Sequence, residues 1–158
     1  MMIITPPDFV TDRNAAVLFL GGPIRETPDW RAEAIRIISK NNGRVYVASP
    51  QRPGGIYPDF EGSECDVQTR WEVHHLFRAL RKGAVLFWFP KKQPYLRNSG
   101  LELGASLVSA GNVVVGIETG FPEEYLRAFI REKSPDVKIC NDFEETCLTA
   151  LALAEAAL

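Results

Sequence analysis

Five consecutive apolar residues, Val85-Leu86-Phe87-Trp88-Phe89, close on Pro90 and lead through a polar loop into Gly100-Leu101-Glu102-Leu103-Gly104. No other stretch restricts the fold as tightly. A run this aromatic and without a polar break has no face to give to water, so as a strand it must be covered on both sides. Pro90 ends it, because proline has no amide to donate to a ladder. Strands of that kind belong to parallel sheets sandwiched between helices, and in open α/β sheets ligands bind beyond the strands' carboxyl ends. The helix after the loop, expected to run to about Ala110, sets Glu102 in its first turn at that edge. Glu102 is the candidate nucleophile. The helix dipole alone also favours a glutamate there, so a structural role stands beside the chemical one.

The rest of the chain alternates in the same way. Ala15–Leu20 is a buried-strand run that ends in Gly21-Gly22-Pro23-Ile24-Arg25, a turn where backbone can approach a ligand closely. Thr27 as N-cap and Pro28 at the first helical position open a helix carrying Ile35 and Ile38, with Gly43 as its terminator. Arg44–Ala48 is the second strand. A long polar stretch to Asp66 follows, of a length that is usually functional or disordered. Gln68–Arg81 has helical periodicity, with Trp71, His75, Leu76 and Leu80 on one face. Asn112–Ile117 is a strand, Phe121-Pro122 leads into a helix bearing Tyr125, Leu126 and Phe129, and Val137–Ile139 is a short strand. Asp142 and Glu145 form a capping-box pattern for the last helix. The expectation is one α/β domain over residues 1–158. It has a five-stranded parallel flavodoxin-like (Rossmann-like) sheet, helices on both faces and an extended arm over residues 1–14.

Composition removes several function classes. A chain of 158 residues with 46% hydrophobic and 24% charged residues is an ordinary globular domain. Its net charge of -2 does not suit a nucleic-acid surface. No apolar run approaches the ~20 residues of a membrane span, and the amino terminus has no signal-peptide pattern, so a cytoplasmic location without membrane contact is expected. Cys65, Cys140 and Cys147 have no zinc-type spacing and are expected to be reduced. His74 and His75 lack a partner at metal-ligand spacing, so no metal is expected. The Gly21–Arg25 turn is not a GxGxxG fingerprint and Pro23 removes an amide donor, which excludes a dinucleotide; no cofactor is expected.

Other candidates carry a bland reading as well. Trp71 is more often core than stacking platform, and Glu72 more often a solvated helix residue than an acid. A second carboxyl is nonetheless what glycosidic cleavage needs, because a poor leaving group must be protonated. Arg78, Arg81, Lys82, Lys91 and Lys92 read as a solvated basic face. Arg25, Arg52 and Arg97 could hold a phosphate through their guanidinium forks.

Phe19-Leu20-Gly21-Gly22-Pro23-Ile24, then Trp30, Gln68-x-x-Trp71-Glu72, Phe87-Trp88-Phe89-Pro90 and Leu101-Glu102-Leu103-Gly104 resemble the nucleoside 2-deoxyribosyltransferase family. The similarity is to its branch with WE and FWFP signatures and spans about Leu18 to Ile117. The resemblance implies a flavodoxin-like sheet and a homo-oligomer whose active sites borrow residues from a neighbour. It makes Glu102 the nucleophile at C1′ of the sugar and Glu72 the carboxyl that assists base protonation. It brings Gly21, Gly22, Pro23, Ile24 and Trp30 to the base and sugar, with Gln68 and Trp71 alongside. Asn98 and Ser99 stand where the family has a sugar-holding aspartate. The implied function is cleavage or transfer of the N-glycosidic bond of 2′-deoxynucleosides or their 5′-monophosphates. The alternative is a non-catalytic nucleotide-binding module on the same fold.

Overall fold

The computed structural model describes residues 1–24, 27–41, 43–51, 63–91, 97–120 and 124–158, the side chains of Ser63 and Arg97 lying outside that set. Among these residues six parallel strands form one sheet: β1 (Met2–Ile4), β2 (Val17–Gly21), β3 (Tyr46–Ala48), β4 (Gly83–Phe89), β5 (Val113–Ile117) and β6 (Lys138–Cys140), in the order β1-β3-β2-β4-β5-β6. Without β1 this is the flavodoxin-like order. Among the described residues five helices cover the sheet: α1 (Trp30–Lys40), α2 (Ser63–Arg81), α3 (Arg97–Leu107), α4 (Glu124–Lys133) and α5 (Phe143–Glu155).

All seven residues of β4 are buried. Alternate side chains go to opposite faces: Val85, Phe87 and Phe89 join the core under α2, α3 and α4, whereas Ala84, Leu86 and Trp88 join the core under α1 and α5. Room for Trp88 comes from Gly116 on β5, where any Cβ would collide with the indole and with Thr146. The α2 positions Trp71, Leu76, Ala79 and Leu80 face the first core at helical spacing, as their periodicity predicts.

Several boundaries differ from the sequence reading. The arm expected over residues 1–14 contains a sixth strand: Met2, Ile3 and Ile4 pair with Tyr46, Val47 and Ala48. Met2 is 53% exposed, so this edge strand has no apolar alternation to announce it and forms on the free edge of β3. Asp29, not Thr27, caps α1, its carboxylate accepting from the Ala32 amide at 3.1 Å. Leu126 is partly buried and Ile130 fully, while Tyr125 is 80% exposed, so α4 packs through the Leu126–Ile130 stripe. Phe121 and Pro122 lie outside the described residues. Asp142 caps α5 as expected, accepting from the Glu145 amide at 2.8 Å.

Residues 8–15 are bound to α2. The Trp71 indole donates to the Asp8 carbonyl at 2.5 Å, His75 Nε2 accepts the Val10 amide at 3.4 Å, and Arg78 donates to the carbonyls of Val10, Asp12 and Ala15. Arg78 is therefore a clamp and not part of a solvated basic face. His75 Nδ1 sits 2.9 Å from the Trp71 carbonyl, which fixes the tautomer with the proton on Nδ1. Burial of the ring pushes its pKa down from 6.5 to about 4.

The unfolded chain thus takes up this proton before the folded one does, so the stabilisation is complete above pH 6.5 and is lost as pH falls towards 4. Glu102 and Glu72, whose folded pKa values are raised, act in the opposite sense over the same range, so the His75 contribution is read as a difference. The thermal midpoint of the wild type is expected to fall relative to that of His75→Gln, which can still accept the Val10 amide but does not titrate, as pH drops from 7 to 4.

Candidate functional site

β2 and β4 are neighbours in register, Gly21 opposite Phe87, so the turn after β2 and the helix after β4 emerge at the same edge of the sheet. A Cβ on Gly21 would stand 2.5 Å from the Phe87 ring. Gly22 has φ +129°, and a Cβ there would stand 2.6 Å from the Trp88 carbonyl. Backbone conformation and space both require glycine at this position. The turn is held from α1. Pro23 O accepts from Trp30 Nε1 at 3.0 Å and from Arg31 Nη1 at 3.0 Å, Gly22 O accepts from Arg31 Nη2 at 2.6 Å, and Leu20 O accepts from Arg31 Nε at 3.2 Å.

Trp30 is 6% exposed. Its ring lies edge-on to Phe143 with the Arg31 guanidinium 4.2 Å from its centroid. It supports the turn from the core and offers no open face for stacking. Trp71 is fully buried between Phe19 and His75, in agreement with its bland reading as core. Gly21, Gly22 and Pro23 are buried and Ile24 is half-buried.

Glu102 lies six residues into α3, in its second turn and not its first, because the helix begins at Arg97 and not Gly100. The helix dipole therefore does little for it. Its side chain is half-buried, and its pKa is pushed up to about 8, first by burial, then by repulsion from Glu72, with Arg31 opposing. Glu72, on α2, is also half-buried. Burial raises its pKa too, against a hydrogen bond from Gln68 and the charge of Arg31. Two carboxyls that repel each other in a desiccated place do not ionise independently: once one has lost its proton the other keeps it. An acid and a carboxylate side by side are what bond cleavage with a protonated leaving group requires.

Gln68 is fully buried. Its Nε2 donates to Glu72 Oε1 at 2.8 Å and to the Pro50 carbonyl at 3.0 Å. Both partners are acceptors, so the amide orientation is fixed. Its Oε1 is buried with no donor among the described residues. Ser99 is buried and Asn98 exposed at the start of α3. Arg25 and Arg52 lie outside the described residues, as does the side chain of Arg97.

The structure thus brings Gln68, Glu72 and Glu102 together and adds Arg31, which the sequence reading passed over. One signal was available: an arginine at the second position of a helix stands at the positive end of the dipole, where a cation is disfavoured. Among the described residues no three His, Cys, Asp or Glu side chains are grouped to hold a metal ion. A wide groove of about 840 Å³, lined in part by Asn112, Lys133, Ser134 and Thr149, opens where β5 and β6 begin, at the opposite sheet edge from the carboxyls. Asn112 and Ser134 already donate to the Gly83 and Leu107 carbonyls.

A parallel flavodoxin-like sheet carrying a carboxyl pair at the carboxyl ends of its strands defines a class of small-ligand α/β domains. Residues 15–121 match the family model described as nucleoside 2-deoxyribosyltransferase like, and the chain belongs to that family. The match runs from before β2 to just after β5 and takes in the Gly21–Pro23 turn, Arg31, Gln68, Glu72 and Glu102. No curated protein matches the chain.

Gly22→Ala is expected to destabilise the fold by about 1–3 kcal/mol, through strain at positive φ and the collision with the Trp88 carbonyl. Denaturant unfolding measures this, and a ΔΔG near zero would mean that the turn has another conformation.

Proposed function

We propose that the protein cleaves or transfers the N-glycosidic bond of 2′-deoxynucleosides or their 5′-monophosphates, with Glu102 as nucleophile and Glu72 as acid. The observation that carries this reading is the pair itself: two half-buried, mutually repelling carboxyls at the ligand-binding edge of the sheet. The reactive form carries the pair's single proton on Glu72 and leaves Glu102 ionised; it is a minor form of the free protein at neutral pH, where Glu102, with its pKa pushed up to about 8, holds the proton. A Glu102 oxygen bonds to C1′ as the C1′–N bond breaks through an oxocarbenium-like transition state. The bonding electrons leave with the base nitrogen, which takes the Glu72 proton. Glu72, now ionised, removes a proton from water or from a second base, whose lone pair attacks C1′ and frees the Glu102 carboxylate. Hydrolysis or transfer results according to the acceptor.

The base sits at the Gly21–Ile24 turn in this reading. Arg25, Arg52 and Arg97 are the proposed partners of a 5′-phosphate. One observation favours the non-catalytic reading: Asn98 and Ser99, exposed and buried respectively, stand where the family's pattern has an aspartate. Tight nucleoside binding by calorimetry with no released base would establish that reading.

Chromatography of free base after incubation with 2′-deoxyadenosine and an acceptor base tests the reaction. Glu102→Ala is expected to lower turnover at least about a thousandfold, and Glu72→Gln by about 10²–10⁴-fold. The pH–rate profile is expected to be bell-shaped, rising as the pair loses its first proton and falling as it loses its second. Loss of the alkaline limb in Glu72→Gln would identify Glu72 as the acid, and undiminished turnover by Glu102→Ala would end the nucleophile assignment.

A homo-oligomer is also part of this proposal. Leu101 on α3, Val108 just beyond its end, and Tyr125 and Phe129 on α4 are left exposed, apolar surface that suits a second copy of the chain. Light scattering is expected to give a dimer or larger, and Leu101→Glu with Tyr125→Glu to give a monomer; an unchanged mass would place the contact elsewhere.

A further inference from the structure

Arg31 is 2% exposed, and a guanidinium is withdrawn from water at high cost unless something specific holds it. Its Nε, Nη1 and Nη2 donate to three carbonyls, those of Leu20, Pro23 and Gly22, which are the last turns of backbone before and within the Gly21–Pro23 bend. Its planar fork is matched to that arc of acceptors, and its ring-facing surface lies on Trp30. A lysine has no fork and could serve one of these carbonyls well, not all three. The same side chain is a positive charge felt by both carboxyls, Glu72 on α2 and Glu102 on α3. Among the described residues these are the charged groups that act on Glu102: Glu72 raising its pKa and Arg31 lowering it.

We propose that Arg31 is the positioning residue of this site, shaping the turn through three backbone carbonyls while its fixed charge favours the carboxylate form of Glu102. The two tasks have opposite structural needs. The turn requires the fork, whereas the carboxylate requires only the charge. The inference rests on the proposed reaction for its meaning in catalysis, but the coupling of turn and carboxyl is a property of the protein by itself.

Arg31→Lys and Arg31→Gln separate the tasks. Titration of Glu102 by carboxyl ¹³C NMR, on the full chain without substrate, is expected to move upward by about one pH unit in Arg31→Gln and to remain near the wild-type value in Arg31→Lys. Calorimetric binding of 2′-deoxyadenosine is expected to weaken about tenfold in both, because both lose hydrogen bonds from a charged donor to the turn. A Glu102 titration that does not move in Arg31→Gln overturns the electrostatic half, and wild-type nucleoside affinity in Arg31→Lys overturns the positioning half. A scaffold role alone would weaken binding in both variants and leave the titration where it was, which also overturns the proposal. Should Arg31→Gln fail to fold, binding by Arg31→Lys still decides. If the wild-type protein binds no nucleoside, the proposed function falls, and the NMR titration alone decides the role of Arg31.

Discussion

The burial of β4 on both faces governs this molecule. Seven residues without an exposed side chain have to be paired on both edges and roofed on both sides, and the neighbours show how each requirement is met. Gly21 yields to Phe87 and Gly116 yields to Trp88, so large aromatic rings are accommodated by missing side chains on the flanking strands. Packing of that kind tolerates little change in volume on either side. It also fixes, to within a side chain's width, where β2 and β4 end, and therefore where the Gly21–Pro23 turn and α3 begin.

That edge is where conflicting demands accumulate. Burial raises the proton affinity of two carboxyls there, Glu72 adds to the effect at Glu102, and a buried arginine partly offsets it at both. Packing alone would favour neither arrangement. A fold that carries such a cluster does so at the expense of stability. The oxygen of Gln68, without a donor among the described residues, belongs to the same pattern. It is a buried acceptor whose orientation is dictated by two other acceptors, Glu72 and the Pro50 carbonyl.

Much of the fold was legible in the sequence, because the runs that become β2, β4 and β5 are long and wholly apolar, and the Asp142–Glu145 cap is a local signal. What was not legible depends on non-local pairing. Met2–Ile4 becomes a strand through the free edge of β3, and the start of α3 at Arg97 moves Glu102 from the first turn to the second. Within the site, Glu102 and Glu72 stood out from their neighbours along the chain, and Gln68 from its place beside Glu72. Arg31 did not, since its role depends on carbonyls eight to eleven residues earlier folding back over it. Trp30 and Trp71 illustrate the reverse case: both lie within the ordered motifs, yet their rings are enclosed, Trp30 beneath the turn and Trp71 under the strap of residues 8–15.

All but the last residue of that strap lies outside the stretch that matches the family, which begins at residue 15. Yet Trp71, His75 and Arg78, all inside it, find their partners at Asp8, Val10 and Asp12. The helix that presents Glu72 is thus anchored by a segment that similarity alone would leave out. Trimming the polypeptide to its recognisable portion would take away the acceptors of the Trp71 indole N–H and of the half-buried Arg78 guanidinium, and unsettle one half of the carboxyl pair from behind.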